Sequence, residues 1–82
     1  MKREFFLYSR KECRPCEVFK AELELVLGGS EHIVRVIHIE DDAELEHQYG
    51  ARIPVLVCGT TEICELRFDP SSLSSFLAAT DV

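Results

Sequence analysis

The sequence predicts a single α/β domain over residues 1–82, built as a four-stranded mixed sheet flanked by helices. Three observations predict it. The chain opens strand, helix, strand, a unit that demands a parallel strand pair joined by a right-handed crossover. Two later strand segments meet at a tight turn and read as an antiparallel hairpin. An Asp-Pro pair then opens a last helix, so the order along the chain is β-α-β-α-β-β-α. A chain of 82 residues buries one limited core. Its 46% apolar content is ordinary for a globular protein, so disorder is not expected.

Glu4 to Ser9 is a short apolar run with aromatics and reads as the first strand. Cys13 to Leu27 reads as a helix, because Cys16, Phe19, Leu23, Val26 and Leu27 recur at spacings of three and four and make one apolar face. Pro15 suits the first turn, where its missing N–H costs nothing. Gly28-Gly29 is the stop signal. His32 to Ile39 is rich in Val and Ile, the pattern of a strand buried on both faces. Asp41 or Asp42 caps a short helix through Gln48 that Gly50 ends; Ala43, Leu45 and Tyr49 give it a thin apolar pattern. Ile53 to Cys58 and Glu62 to Phe68 are strands joined at Gly59-Thr60-Thr61. Asp69 as N-cap and Pro70 as first helical residue open the last helix, whose apolar face is Leu73, Phe76 and Leu77. Periodicity leaves the order of the strands in the sheet open.

The net charge of −6 argues against nucleic acid as a partner, since phosphate binding needs clustered positive charge. No apolar run is long enough to span a membrane. The segment from Met1 to Tyr8 is charged and then apolar, but its apolar stretch is too short for an export signal. A cytoplasmic, reducing location is therefore expected, and four cysteines amid regular helices and strands fit it. The charge is uneven. Residues 1–20 carry six Lys/Arg and three Asp/Glu, whereas residues 21–82 carry three and twelve. The basic excess surrounds Cys13 and Cys16, which is either the chance of a short chain or a positive rim that favours a thiolate.

Cys13-Arg14-Pro15-Cys16 sits where the first strand gives way to the first helix. At that junction the unpaired N–H groups and the helix dipole stabilise an anion on Cys13. Lys11, Arg10 and Arg14 add positive charge nearby. Cys16, one turn in, can reach back to Cys13; it is expected to be the more buried thiol and to resolve a mixed disulfide formed there. Two other readings stay open. One is an inert pair; the other is half of a zinc or iron–sulfur site. Its second half would be Cys58 and Cys64, but five residues separate them and both lie in a hairpin. His32, His38 and His47 lack ligand spacing to one another: His32 reads as a strand-edge residue, His38 as half-buried and His47 as solvated. Cys58 and Cys64 are expected to be buried, reduced core thiols, since free Cys packs as a small hydrophobe.

These residues carry a resemblance. Leu7-Tyr8-Ser9-Arg10 before the C-x-x-C, Ile37-His38-Ile39-Glu40-Asp41-Asp42 with Leu45, Tyr49-Gly50-Ala51-Arg52-Ile53-Pro54-Val55-Leu56 and Phe68-Asp69 are similar to the glutaredoxin-like family of small bacterial proteins. That family belongs to the thioredoxin superfamily, and the resemblance covers residues 4–79. It implies the thioredoxin fold, with Pro54 as a cis-proline facing the redox pair and the Ile53 backbone pairing with an extended substrate. Arg10 stands where glutaredoxins place a lysine that contacts a glutathione carboxylate. Arg52 replaces the Thr of the usual Thr-Val-Pro, and Asp69 alone stands for the Gly-Gly and paired Asp that hold the γ-glutamyl end. Pro15 is thioredoxin-like, while the buried Asp of thioredoxins has no counterpart near Leu7.

The implied activity is disulfide exchange on protein or glutathione disulfides by a monomer, with Arg10, Arg14, Arg52, Ile53, Pro54 and Asp69 about the substrate. No cofactor is expected beyond glutathione as a co-substrate, no metal ion is called for, and a reductase or the glutathione system would recycle the pair. The same fold also serves as a catalytically weak binding module, and metal or iron–sulfur binding through the C-x-x-C is the remaining alternative.

Overall fold

A computed structural model describes residues 3–28 and 31–80. The elements are β1 (Glu4–Ser9), α1 (Arg14–Leu27), β2 (Ile33–His38), α2 (Ala43–Tyr49), β3 (Val55–Cys58), β4 (Thr61–Glu65) and α3 (Pro70–Thr80). They form one four-stranded sheet in the order β2-β1-β3-β4. β1 and β2 run parallel from Glu4 opposite Ile33 to Ser9 opposite His38. β3 lies antiparallel to β1, with Leu56 opposite Leu7. β4 pairs antiparallel with β3, and the register slips between Leu56 and Val57. The sheet is thus the expected mixed one, and its central strands are β1 and β3.

Side chains alternate across a strand, and the alternation divides the core in two. Phe5 and Leu7 of β1 and Leu56 of β3 meet Phe19, Leu23 and Leu27 of α1 and Leu73 of α3. On the other face Val55 and Val57 meet Ile39 and Tyr49, the last residue of α2. Tyr8 stacks on Tyr49 there at 4.2 Å between ring centroids. Two helices therefore cover one face and a single short helix the other.

Local chemistry sets the ends of the elements. The Asp42 carboxylate accepts the N–H groups of Glu44 at 3.0 Å and Leu45 at 3.1 Å, so it, rather than Asp41, caps α2. Asp69 does the same for α3, accepting from Ser71 N–H at 3.0 Å and from the Ser72 hydroxyl at 2.9 Å. Gly28 ends α1; Gly29 lies outside the described residues. Gly59 takes φ +63°, the left-handed geometry that a tight hairpin turn asks of its first residue. Cys58 and Thr61 pair across it, which brings Thr61 into β4.

Four expectations are corrected. β2 is an edge strand, so it is not buried on both faces: none of its residues is fully buried, and exposed Arg35 pairs with Glu4 of β1. His38 is exposed for the same reason. Val26 is 50% exposed, because it lies at the margin of the stripe that Phe19, Leu23 and Leu27 bury. The hairpin strands are shorter than their apolar runs. β3 starts at Val55, after Pro54, and β4 stops at Glu65, where Leu66 turns to φ +69°.

Candidate functional site

Cys13 caps α1. Its backbone is extended (φ −112°, ψ 104°), and its sulfur accepts the N–H of Cys16 at 3.3 Å. The two residues are disulfide-bonded, with their Cα atoms 5.2 Å apart. Cys13 is half-buried, whereas Cys16 is 4% exposed. The helix therefore leaves Cys13 partly exposed and keeps Cys16 against the core, with an N–H aimed at the Cys13 sulfur. A groove of about 460 Å³ opens beside both cysteines. Leu7, Ser9 and Val36 contribute to its lining, and so do His38 and Lys20.

The loop before Cys13 is tied down at two points. Lys11 N–H donates to the Glu40 carboxylate at 2.9 Å. The Arg10 guanidinium grips Glu46 of α2 with both arms and also donates to the Gly50 carbonyl at 3.3 Å. The hydrogen bonds from Arg10 hold the Glu46 carboxyl below its ordinary range. Neither glutamate is singled out by sequence spacing. The only signal for them is that α2 and the turn before it are acidic and the loop basic.

The other anticipated substrate residues fall in different places. Arg52 donates to Glu62 at 2.7 Å, to Glu65 at 3.2 Å and to the Gln48 carbonyl at 3.1 Å, and it lies over the Tyr49 ring. Its charge is thus spent at the β4 edge on the α2 side. Asp69 is engaged as the α3 cap, and its hydrogen bonds from Ser72 lower its pKa. Arg14 is exposed and lines a second groove, with Pro15 and Val18 of α1 and with Leu66 and Phe68 beyond β4. The Ile53–Pro54 peptide bond is cis, Pro54 is buried, and the Pro54 carbonyl accepts the N–H of Leu66 at 2.8 Å. Leu66 lines the same groove as Arg14 and Pro15, the residues between the cysteines. Ile53 makes no backbone hydrogen bond among the described residues. Leu66 and Phe68 were not anticipated here, because the apolar run extending β4 gave no sign that the chain turns at Leu66.

Cys58 and Cys64 are free thiols on the α1/α3 face of the sheet, but half-buried at the margin of the core and not buried within it as expected. Burial raises the pKa of both. Among the described residues no three His, Cys, Asp or Glu side chains are grouped to hold a metal ion, and no helix is long and apolar enough to cross a membrane.

Comparison with known proteins agrees with this geometry. The solution NMR structure of protein Ne2328 from Nitrosomonas europaea superposes with a TM-score of 0.81 at 28% identity, covering 90% of this chain and 89% of that one. The X-ray structure of protein XcR50 from X. campestris superposes with a TM-score of 0.71 at 31% identity, covering 93% and 97%. No functionally curated protein matches. The family model described as glutaredoxin-like domain (DUF836) matches residues 4–78. With its fold, its C-x-x-C at a helix N-terminus and a family match along nearly its whole length, the chain belongs to the glutaredoxin-like (DUF836) family of the thioredoxin superfamily.

Proposed function

We propose that the chain is a dithiol–disulfide oxidoreductase in which Cys13 attacks and Cys16 resolves. One observation carries the reading. The half-buried Cys13 sulfur receives an N–H at the N-terminus of α1, while the sulfur that would resolve it is buried one turn on. A thiolate at Cys13 gains from that N–H and from the helix dipole. It attacks a substrate disulfide, forming a Cys13–substrate S–S bond and expelling the other half as a thiolate. Cys16, deprotonated, then attacks the Cys13 sulfur, expels the second half and leaves the Cys13–Cys16 disulfide. The substrate gains two electrons, and the dithiol loses them. Glutathione or a reductase returns the pair to the dithiol.

In this reading the Ile53–Pro54 segment is the platform for an extended substrate, with the Ile53 peptide groups as its pairing partners. Arg14 adjoins Cys13 in the chain, and Lys11 and Lys20 line the groove beside both cysteines. Arg10 and Arg52 reach a substrate carboxylate only by exchanging Glu46 or Glu62 for it.

The test is trapping. Alkylation of the reduced protein near neutral pH is expected to label Cys13 first. Cys16→Ser is expected to accumulate mixed disulfides on Cys13, and Cys13→Ser to accumulate few. Preferential labelling of Cys16 overturns the assignment.

A further inference from the structure

We propose that the outward face of α1 docks an amphipathic helix of a partner protein, one whose apolar seam is flanked by lysine or arginine. The inference goes beyond the disulfide-exchange reading and does not depend on it.

A helix that packs on a sheet by one stripe is expected to be polar on its opposite side. α1 departs from that pattern. Phe19, Leu23 and Leu27 are buried against the sheet. At about 100° per residue, Val18, Ala21 and Leu25 fall within about 60° of one another on the side directly opposite. All three are exposed, Leu25 by 84% and Val18 by 46%. Val26 lies between this strip and the buried one. Val18 is shared with the groove beside Pro15, but Ala21, Leu25 and Val26 lie outside it.

Four large hydrophobic side chains are exposed among the described residues, and three of them, Val18, Leu25 and Val26, belong to this one helix. Helix propensity accounts for Ala21 and Leu25, because both are strong helix formers. It does not account for Val18 and Val26, whose branched side chains lose rotamer freedom in a helix. Contiguous apolar surface of this kind marks an interaction site. A strip with spacings of three and four is the seam by which one helix packs on another, and the small Ala21 at its middle lets a second backbone approach.

The flanks decide which helix fits. Glu22 borders the strip on one side, and Glu17 and Glu24 on the other. Lys20 is the one cation between Pro15 and Leu27, and it lies 3.8 Å from Glu24. A second copy of α1 laid antiparallel would set Val18 against Leu25, but it would also set Glu22 beside Glu22 and Glu17 near Glu24. Like charges in the flanks disfavour that pairing, and the chain's net charge of −6 adds to the repulsion. Lysine or arginine flanking the seam of a different helix meets the same carboxylates favourably. Arg14 lies on the line of the strip one turn before Val18. Its charge confines a basic helix to the stretch from Val18 to Leu25, away from the cysteines.

The experiment is an amide chemical-shift titration of the full chain, its Cys13–Cys16 bond closed, with three capped peptides of three heptads each. The first repeats Lys-Ile-Ala-Ala-Leu-Lys-Lys. The second has Ser in place of Ile and Leu, and the third has Glu in place of Lys. The first is expected to bind at least about tenfold more tightly than the other two, the scale of covering one exposed leucine. Its largest shifts are expected at Val18, Ala21, Glu22 and Leu25. Leu25→Gln is expected to weaken the first peptide about tenfold and to leave the melting temperature unchanged, because the side chain is exposed. Glu22→Lys is expected to weaken the first peptide and strengthen the third.

Equal binding of the first and second peptides, or of the first and third, overturns the proposal. So do shifts centred on Leu66 and Phe68, which place the peptide in the groove beside Pro15 instead. The absence of shifts at α1 with every peptide overturns it as well. Sedimentation that shows a dimer lost in Leu25→Gln, or binding to phosphatidylcholine vesicles lost in that variant, gives the face another occupant and overturns it too. None of these outcomes bears on disulfide exchange, which the trapping experiment tests separately.

Discussion

Arg10 and Glu46 meet fork to fork between the loop that delivers Cys13 and the helix on the opposite face of the sheet. Nη1 of Arg10 donates to Oε2 of Glu46 at 2.6 Å, and Nη2 closes on Oε1. Nη2 also reaches the Gly50 carbonyl. The pair fixes where the redox loop enters α1 without touching either cysteine. Glu46→Gln leaves a neutral acceptor on one side and is expected to loosen the loop. Faster hydrogen exchange at the Lys11 and Glu12 amides, with α3 amides unchanged, is the expected readout. Unchanged exchange at Lys11 and Glu12 shows that the loop does not depend on this pair.

Gly50 makes room for that ion pair. A Cβ on Gly50 would run into the Glu46 carbonyl oxygen first, and would stand 2.6 Å from Glu46 Oε1 and 3.2 Å from the Arg10 guanidinium. The backbone there is ordinary right-handed helix, so the constraint is space and not φ. Gly50→Ala gains from a less flexible unfolded chain but forces the pair apart. The overpacking is expected to win, at about 1–3 kcal/mol of lost stability. A urea midpoint at or above that of the wild type contradicts this.

The acid limb of stability follows from the direction of three shifts. Glu46, Glu62 and Asp69 all have folded-state pKa values below their ordinary ones, held there chiefly by Arg10, Arg52 and Ser72. The unfolded chain thus binds protons at these groups more readily, and stability falls as pH drops. The contribution is complete above the ordinary carboxylate pKa of about 4 and is lost as pH falls through the lowered folded values. Melting temperature is expected to decline on acidification through that window. Glu62→Gln and Asp69→Asn should each flatten the slope while starting from a lower plateau.

Two leucines of α1 separate burial from helix propensity. Leu23 is fully buried against the sheet, and Leu25 is 84% exposed. Leu23→Ala leaves a cavity among Phe5, Leu7 and Leu73 and is expected to cost about 2–5 kcal/mol. Leu25→Ala is expected to stay within about 0.5 kcal/mol of the wild type. Denaturant unfolding of the two variants is the measurement, and similar losses in both would contradict the packing of α1.

Cys58 and Cys64 are expected to remain thiols when mild peroxide closes the Cys13–Cys16 bond. Across the hairpin Cys58 faces Thr61 and Cys64 faces Leu56, so neither faces the other. Burial also keeps both protonated, which slows oxidation. Peptide mass spectrometry with differential alkylation reads the outcome. A 58–64 disulfide appearing before the 13–16 one reverses the order of reactivity argued here.

Much of the molecule was legible in the sequence because the deciding interactions are local. A cap acts within one turn, so Asp42 and Asp69 mark the starts of α2 and α3, and Gly28 and Gly50 mark helix ends. The spacing of Cys16, Phe19, Leu23 and Leu27 is the buried stripe of α1 itself. The C-x-x-C lies at a strand–helix junction in the chain and therefore at a helix N-terminus in space. What the sequence could not decide depends on residues brought together from far apart. Whether Val34 and Val36 sit in a central or an edge strand depends on which strands flank β2, and apolar runs look alike in both. Arg10 and Arg52 read as free charges for a substrate until Glu46, 36 positions away, and Glu62 are seen to hold them. The exposure of Leu66 belongs to the same class. Its apolar side chain argues for a buried strand, and only the turn at φ +69°, pinned by the Pro54 carbonyl, carries it out to the groove that Arg14 and Pro15 line.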